Sequence, residues 1–266
     1  MKFVIDNDCG SCNKLWSIVN PILFSYKKKE YYIFLSFDPI YKKLPNLSKA
    51  KYTFFPYKKL PWSLGYRFSH FVYKKLKNNQ KQDSKISKNI IDGWSLIHDR
   101  LNENDIKLIR KIFSPNKETS DFLNNKFRKE REAYDYIIGV HIRRGDYKNY
   151  FKGKYYFNDW EYLKFMKIIN QNLPGKKIFF ISTQDKIDEE IFRREFEFFK
   201  IDRSVIEDLY GLASCDYIIG PPSTFSMWAS MYGRVPISFI TNKNRFNPDF
   251  KIIDSCPPIE EIDKDL

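Results

Sequence analysis

Short apolar runs alternate with stretches of helical spacing along most of this chain. KFVID at 2–6 has the β-branched and aromatic residues of a buried strand. NKLWSIVNPILFSYKKK, from Asn13, spaces its apolar residues as a helix that Pro21 is expected to interrupt. YYIFLSF at 31–37 predicts a second strand. Residues 40–90 are rich in Lys, Tyr, Phe and Pro and hold no clean period, which predicts irregular structure with one helix over 65–78. NDIKLIRKIF at 104–113 places Ile106, Ile109, Ile112 and Phe113 on one side of a helix; after a break at Pro115, a polar helix follows around 118–133.

From 136 the alternation becomes regular. YIIGVHI predicts a strand and residues 159–173 a helix capped by Asn158 or Asp159. Then come KIFFIS as a strand, KIDEEIFRREF and SVIEDLYGLAS as helices, YIIG as a strand, STFSMWASMYG as a helix and VPISFI as a strand. This order is the signature of an α/β fold with a doubly wound parallel sheet. Such sheets bind ligands beyond the carboxyl ends of their strands, where strand order reverses. A boundary near 130–135 divides the chain into 1–133 and 134–266.

Composition narrows the classes. The 266 residues, 42% hydrophobic and 18% aromatic, supply packed cores and exclude a disordered chain. A net charge of +13 raises nucleic acid, membrane surface and phosphorylated substrates as partners. The lysines are scattered, however, with short runs only at 27–29 and 74–81, and the Lys, Asn, Ile, Tyr and Phe usage fits AT-rich coding; no nucleic-acid partner is expected. No apolar stretch approaches the roughly 20 residues of a membrane span, and MKFVIDNDCG lacks the apolar core of a signal peptide. The chain therefore reads as cytoplasmic, with a basic surface suited to peripheral contact at the inner face of a membrane. Cys9, Cys12, Cys215 and Cys256 are too few and scattered for a disulfide scaffold.

The candidate chemistry sits at strand ends. In HIRRGD, His141 and Arg143 share one face of an extended strand and Arg144 points away, with Gly145 permitting a turn before Asp146. A guanidinium there can grip a phosphate through a forked pair of hydrogen bonds. An Arg–Asp ion pair in a loop reads the same residues without a ligand, and the RGD triplet as an adhesion motif fits poorly beside a core strand. In CDYIIGPPSTFSMWASMYG, 215–233, a strand runs through a tight turn to a hydroxyl-rich helix start, with Ser223, Thr224 and Ser226 as donors. That is an anion site by virtue of free N–H groups and the helix dipole; an ordinary cap with Phe225 and Trp228 in the core is the plainer alternative. KIFFISTQD ends a third strand in Ser182, Thr183, Gln184 and Asp185, where an acid can receive a ribose hydroxyl or a base edge. DNDCGSCNKLW, 6–16, holds a C-x-x-C between a strand and a helix, readable as a thiol-redox pair, as half of a zinc site, or as a glycine loop that lets a ligand approach.

Together these segments resemble the fucosyltransferase superfamily with the H-x-R-R-x-D motif, most closely the bacterial alpha-1,2-fucosyltransferases of glycosyltransferase family 11. HIRRGDY, the polar-ended strand after it and C-x-x-I-I-x-x-x-S-T-F-S-x-W-A carry the likeness over about 134–236, and GSCNKLW at 10–16 is similar to that family's G-x-G-N-Q-[LM]-F. Cys12 stands where the family usually has glycine, and Pro221-Pro222 replace small or polar residues. The resemblance implies a GT-B-like architecture of two Rossmann-like domains: an acceptor-side half, 1–133, and a GDP-sugar-binding half, 134–266. It implies an inverting transfer of L-fucose from GDP-fucose to a hydroxyl of a glycan or lipid-linked oligosaccharide, with no metal and no cofactor beyond the donor. Arg143 would hold the β-phosphate and neutralise the departing GDP, His141 would contact the nucleotide, and Arg144 and Asp146 would brace the loop or the sugar. Asp185, with Ser182 and Thr183 beside it, would take the guanine or ribose edge. Ser223, Thr224, Phe225 and Ser226 would cradle the diphosphate, and Gly10, Asn13 and Lys14 would face the cleft from the N-terminal half. Asp146 is the nearest carboxylate for the acceptor hydroxyl, with Asp6 and Asp8 as rivals. Assembly of a surface polysaccharide or lipopolysaccharide fits this picture.

Overall fold

In the computed structural model, which describes residues 1–5, 10–35, 38–55, 67, 71, 74 and 90–262, the apolar runs become the strands of two parallel sheets. The first contains β1 (Lys2–Ile5), β2 (Tyr32–Phe34), β3 (Thr53–Phe54) and β4 (Ile90–Asp92) in the order β3-β2-β1-β4. Phe3 pairs with Ile33 on one side and with Ile90 on the other. Val4, Tyr32 and Phe34 are fully buried in this sheet. It belongs to a unit made of Met1–Asn116 and Asp254–Cys256. Strand β3 lies in the stretch expected to be irregular and β4 begins at its last residue; at two and three residues they are too short to show a period. The helix expected over 65–78 falls outside the described residues apart from 67, 71 and 74.

Helix α1 (Ser11–Lys28) runs through Pro21 without the expected interruption. A helical proline leaves the carbonyl four residues earlier without its N–H donor, here that of Ser17. The backbone of Gly93 closes against that carbonyl so tightly that a Cβ at Gly93 would lie 2.0 Å from it. Asn20 adds a 2.5 Å hydrogen bond from Nδ2 to the Leu96 carbonyl in the short 3-10 turn Trp94–Leu96. The helix is thus held by its neighbour across the point where its own ladder is broken. Helix α2 (Glu103–Ile112) is capped by the Asn102 side chain, which accepts from the Asn104 and Asp105 amides.

The second sheet holds β5 (Tyr136–Ile142), β6 (Lys177–Thr183), β7 (Phe198–Phe199), β8 (Tyr217–Gly220) and β9 (Ile237–Phe239) in the order β7-β6-β5-β8-β9, all parallel. The chain moves outward from β5 to β7 and then returns to the other side of β5, so strand order reverses between β5 and β8. Helices α3 (Lys117–Ala133), α4 (Asp159–Asn172), α5 (Glu189–Arg193), α6 (Val205–Leu212), α7 (Thr224–Gly233) and α8 (Ile259–Ile262) accompany the sheet. Ile138, Val140 and Ile142 of β5 join Phe179, Ile181 and Ile219 in one buried cluster. The helix expected across KIDEEIFRREF covers only Glu189–Arg193, and the phenylalanines after it form the edge strand β7.

Helix α3 belongs to this second unit, which comprises Lys117–Ile253 and Pro257–Leu266, so the division falls before that helix and not after it. The cause is visible in its contacts. Phe127 meets the rings of Phe180 and Phe199 edge-on, and Thr119 donates to the buried Glu207. Arg131 grips both oxygens of Asp216 at 2.9 Å while Asp216 accepts the Ile137 amide at the start of β5.

Candidate active site

The ends of β5, β6 and β8, the three strands whose polar termini stand out in the sequence, are neighbours in the second sheet. His141 lies opposite Ser182 in register, and both are buried. Gly220, ending β8, lies so close to His141 that a Cβ there would sit 2.8 Å from the His141 carbonyl. Beyond this close approach, the imidazole stacks on Phe225 with ring centroids 5.0 Å apart. Its Nδ1 has no hydrogen-bond partner among the described residues. Burial, followed by the charge of Arg143, lowers its pKa to about 3, so the ring is neutral at physiological pH.

Arg143 leaves the strand end as a half-exposed guanidinium. Its Nε and Nη2 donate to the two oxygens of Asp146 at 2.9 and 3.1 Å, and the group lies over the Tyr147 ring. Arg143 and Asp146 are thus in contact, with the guanidinium half open to solvent and Asp146 more so. Arg144 turns the other way, as the strand alternation requires. It donates to the Phe157 and Lys186 carbonyls and forms an ion pair with Asp159, leaving its fork wholly engaged in the loop. Asp159 is available for this because Asn158 is the cap of α4, in a reciprocal capping box with Glu161.

Asp185 accepts the Arg144 amide at 2.8 Å and the Gly145 amide at 3.2 Å, so its carboxylate shapes the backbone turn of HIRRGD. Thr183 in turn accepts the Asp185 amide. On the β8 side Ser223 caps α7 by accepting the Phe225 amide, and Ser226 is fully buried with its hydroxyl donating to the Ser223 carbonyl. Thr224 and Phe225 form the first, partly exposed turn of the helix.

Two tyrosines absent from the sequence-based site complete it. Tyr147 is buried and its hydroxyl donates to the Pro222 carbonyl, tying the HIRRGD loop to the Pro-Pro turn. Tyr162 of α4 accepts the Arg143 amide from beneath. Burial pushes both phenols well above their ordinary range. Tyr147 is adjacent to the motif in sequence and was open to discovery there; Tyr162 carries no local signal.

In the first unit, Gly10 is the N-cap of α1 with open space where a Cβ would be, and its carbonyl accepts the Lys14 amide. Asn13 is partly exposed and Lys14 buried in the first turns of this helix. Asp6, Asp8 and Cys9 lie outside the described residues. Cys12 is buried in the first turn of α1. Burial raises the Cys256 thiol to about 12 and Cys215 well above the ordinary range, which makes both unreactive. Among the described residues no three His, Cys, Asp or Glu side chains group as metal ligands. Two D-x-D triplets, of the kind that hold the ion in many metal-dependent glycosyltransferases, occur at Asp6-Asn7-Asp8 and Asp263-Lys264-Asp265. Both lie outside the described residues and bear on the expectation of a metal-free site. Nor is any helix among the described residues long and apolar enough to cross a membrane.

In the second sheet the polar strand ends lie at the strand-order reversal, with α7 starting just after β8, and the comparisons with known proteins concern this fold. Among solved structures, fucosyltransferase NodZ from Bradyrhizobium shares the fold with a TM-score of 0.58 at 15% identity, over 95% of this chain and 99% of that one. The same figures hold for NodZ alpha-1,6-fucosyltransferase soaked with GDP-fucose. A mutant of Arabidopsis thaliana FUT1 in complex with GDP gives a TM-score of 0.59 at 11% identity, over 97% of this chain and 74% of that one. At such identities the likeness is one of fold, and the fold is GT-B-like α/β with two parallel sheets. No curated protein sequence matches the chain. The description of glycosyl transferase family 11 matches residues 103–255, more than half of the sequence and all of the site at the strand ends of the second sheet, and the chain belongs to that family.

Proposed function

We propose that this chain transfers L-fucose from GDP-fucose to a hydroxyl of a glycan acceptor, with inversion, without a metal ion, and forming an alpha-1,2 linkage. The observation that carries the reading is the convergence at the strand-order reversal. There the Arg143 guanidinium, the unpartnered Nδ1 of a neutral His141 and the Ser223-capped start of α7 meet beside β5 and β8. Family membership and the GDP-fucose or GDP in structures of the same fold support it.

In this reading the diphosphate lies at the start of α7, where helix dipole and first-turn amides favour negative charge. Arg143 neutralises the charge that develops on GDP as the glycosidic bond breaks, the contribution a preorganised cation makes in a partly dry site. Asp146 holds the guanidinium fork in position and is the carboxylate nearest to receive the acceptor proton. His141 offers a nitrogen to the nucleotide. Asp185, Thr183 and Arg144 act through the loop: they hold Arg143 in place. Ser226 stiffens the helix start from inside, and Ser182 is packed beside His141. Gly10, Asn13 and Lys14, at the start of α1 in the first unit, are read as ligand-facing from the family motif. Synthesis of a surface polysaccharide or lipopolysaccharide on a lipid carrier, at the inner face of a membrane, suits the basic charge.

Calorimetric titration with GDP-fucose, GDP-mannose and UDP-N-acetylglucosamine in EDTA tests this. GDP-fucose binds selectively without added metal, and Arg143→Ala lowers transfer by about 100-fold or more, the scale typical of losing one transition-state donor. Arg143→Lys restores little, because the bidentate fork is lost. Equal binding of GDP-mannose would favour another GDP-sugar, restoration of binding only by a divalent cation would point to the D-x-D triplets, and methylation analysis of the product decides the linkage.

A further inference from the structure

Immediately after HIRRGD the chain makes an aromatic excursion that the donor site does not use. Tyr147, Tyr150, Phe151 and Tyr155 form a chain of ring contacts with centroids 5.4, 4.6 and 5.8 Å apart. The two end rings are buried, while Tyr150 and Phe151 are 41% and 38% exposed. The loop is built and not loose: the Lys148, Asn149, Lys152, Lys154 and Tyr156 amides all donate to carbonyls within it or at Arg144. Its shape requires Phe151 and Lys152 to adopt left-handed backbone conformations, with φ of 47° and 57°, before Gly153 at 78°. Non-glycine residues hold such conformations only where surrounding structure imposes them, and they cluster at functional sites. A bulky aromatic residue is an unfavourable choice for that position unless its ring is needed where the turn puts it.

The ring chain begins at the reacting end of the site. Tyr147 lies under the Arg143 guanidinium, 5.6 Å from ring centroid to Cζ, and is fastened to the Pro222 carbonyl. Tyr150 and Phe151 are therefore the half-open aromatic surface that continues from the cation expected at the leaving diphosphate. A pyranose offers one face of C–H groups and a rim of hydroxyls. Its apolar face packs on an aromatic ring, removing both from water, while the rim stays solvated or bonded. We propose that Tyr150 and Phe151 form the acceptor subsite, stacking a pyranose of a saccharide acceptor so that one of its hydroxyls faces the donor beside Arg143 and Asp146. This deepens the donor reading and rests on it. Two half-exposed rings, in edge-to-face contact with each other and linked through Tyr147 to Arg143, suit a stacked sugar better than insertion into a lipid surface, which needs rings that project freely.

The test pairs two readouts. GDP affinity is measured by calorimetry, and transfer of labelled fucose from GDP-fucose is measured on an array of mono- to tetrasaccharides ending in galactose, glucose, N-acetylglucosamine or mannose. For any acceptor that the wild type labels, Tyr150→Ala and Phe151→Ala raise the acceptor KM tenfold or more, GDP affinity stays within twofold, and Tyr150→Phe retains a near-native KM. Unchanged acceptor KM in both alanine variants overturns the inference. So does a rise in KM matched by an equal loss of GDP affinity, or a wild type that binds GDP-fucose and labels no saccharide. Loss of binding to anionic vesicles in the variants, with acceptor KM unchanged, would replace the sugar with a membrane. A wild type that binds neither GDP nor GDP-fucose removes the donor reading itself, a result distinct from all of these.

Discussion

His141 joins burial to chemistry at the level of one side chain. Its imidazole takes a proton near 6.5 when unfolded but only near 3 when packed against Phe225. As pH falls from 6.5 toward 3 the unfolded chain binds the extra proton, so this group's contribution to stability, complete above about 6.5, is progressively lost. Thermal melts of wild type and His141→Gln at pH 7, 5.5 and 4.5 are expected to show a smaller acid-induced loss in the variant; parallel slopes would refute the assignment. A second residue-scale expectation concerns Asp185. Asp185→Ala frees the Arg144 and Gly145 amides, and their hydrogen exchange is expected to accelerate while GDP affinity falls about tenfold. The polar strand ends were legible because each lies within a few consecutive residues. Their partners were not: Arg144 meets Asp159 fifteen positions away, Asp185 reaches back 41 and Tyr147 forward 75. Asp185, read as a ligand group, accepts two amides of the loop, and Asp159, read as a cap, pairs with Arg144; only the packed chain shows what a carboxylate faces.

Among the elements, α1 shows how a tertiary contact overrides a local rule. Pro21 removes the donor for the Ser17 carbonyl, and the Gly93 backbone occupies the space against that carbonyl. Gly93 has an ordinary φ of −64°, so its need for glycine is steric alone. Gly93→Ala is expected to destabilise the protein by about 1–3 kcal/mol, the usual cost of forcing an atom into a filled space, measured by urea denaturation; an unchanged midpoint would contradict the close approach. Strand β7 escaped notice for a related reason. Its two residues pair with Phe179 and Phe180 at the edge of the sheet, and two residues cannot display a period. The longer strands β5 and β6, seven residues each and buried almost throughout, were readable as continuous apolar runs.

At the scale of the molecule, the chain divides before α3, because that helix buries Leu123 and Phe127 and locks Arg131 onto Asp216 within the second unit. A fragment spanning 117–266 is expected to melt cooperatively and bind GDP, whereas one spanning 134–266 loses these contacts and is expected to do neither; equal behaviour of the two would place the boundary at 133–134. What the sequence determined by itself was the alternation of strands and helices, the parallel α/β class, the polar strand ends and the family, since periodicity and motif chemistry reside in neighbouring residues. Tertiary structure decided which polar groups stay exposed, which are engaged within the loop, where the units part, and that two half-exposed aromatic rings connect through Tyr147 to Arg143. Those outcomes depend on contacts between residues far apart in the chain, whose free energy exists only once the sheets are assembled.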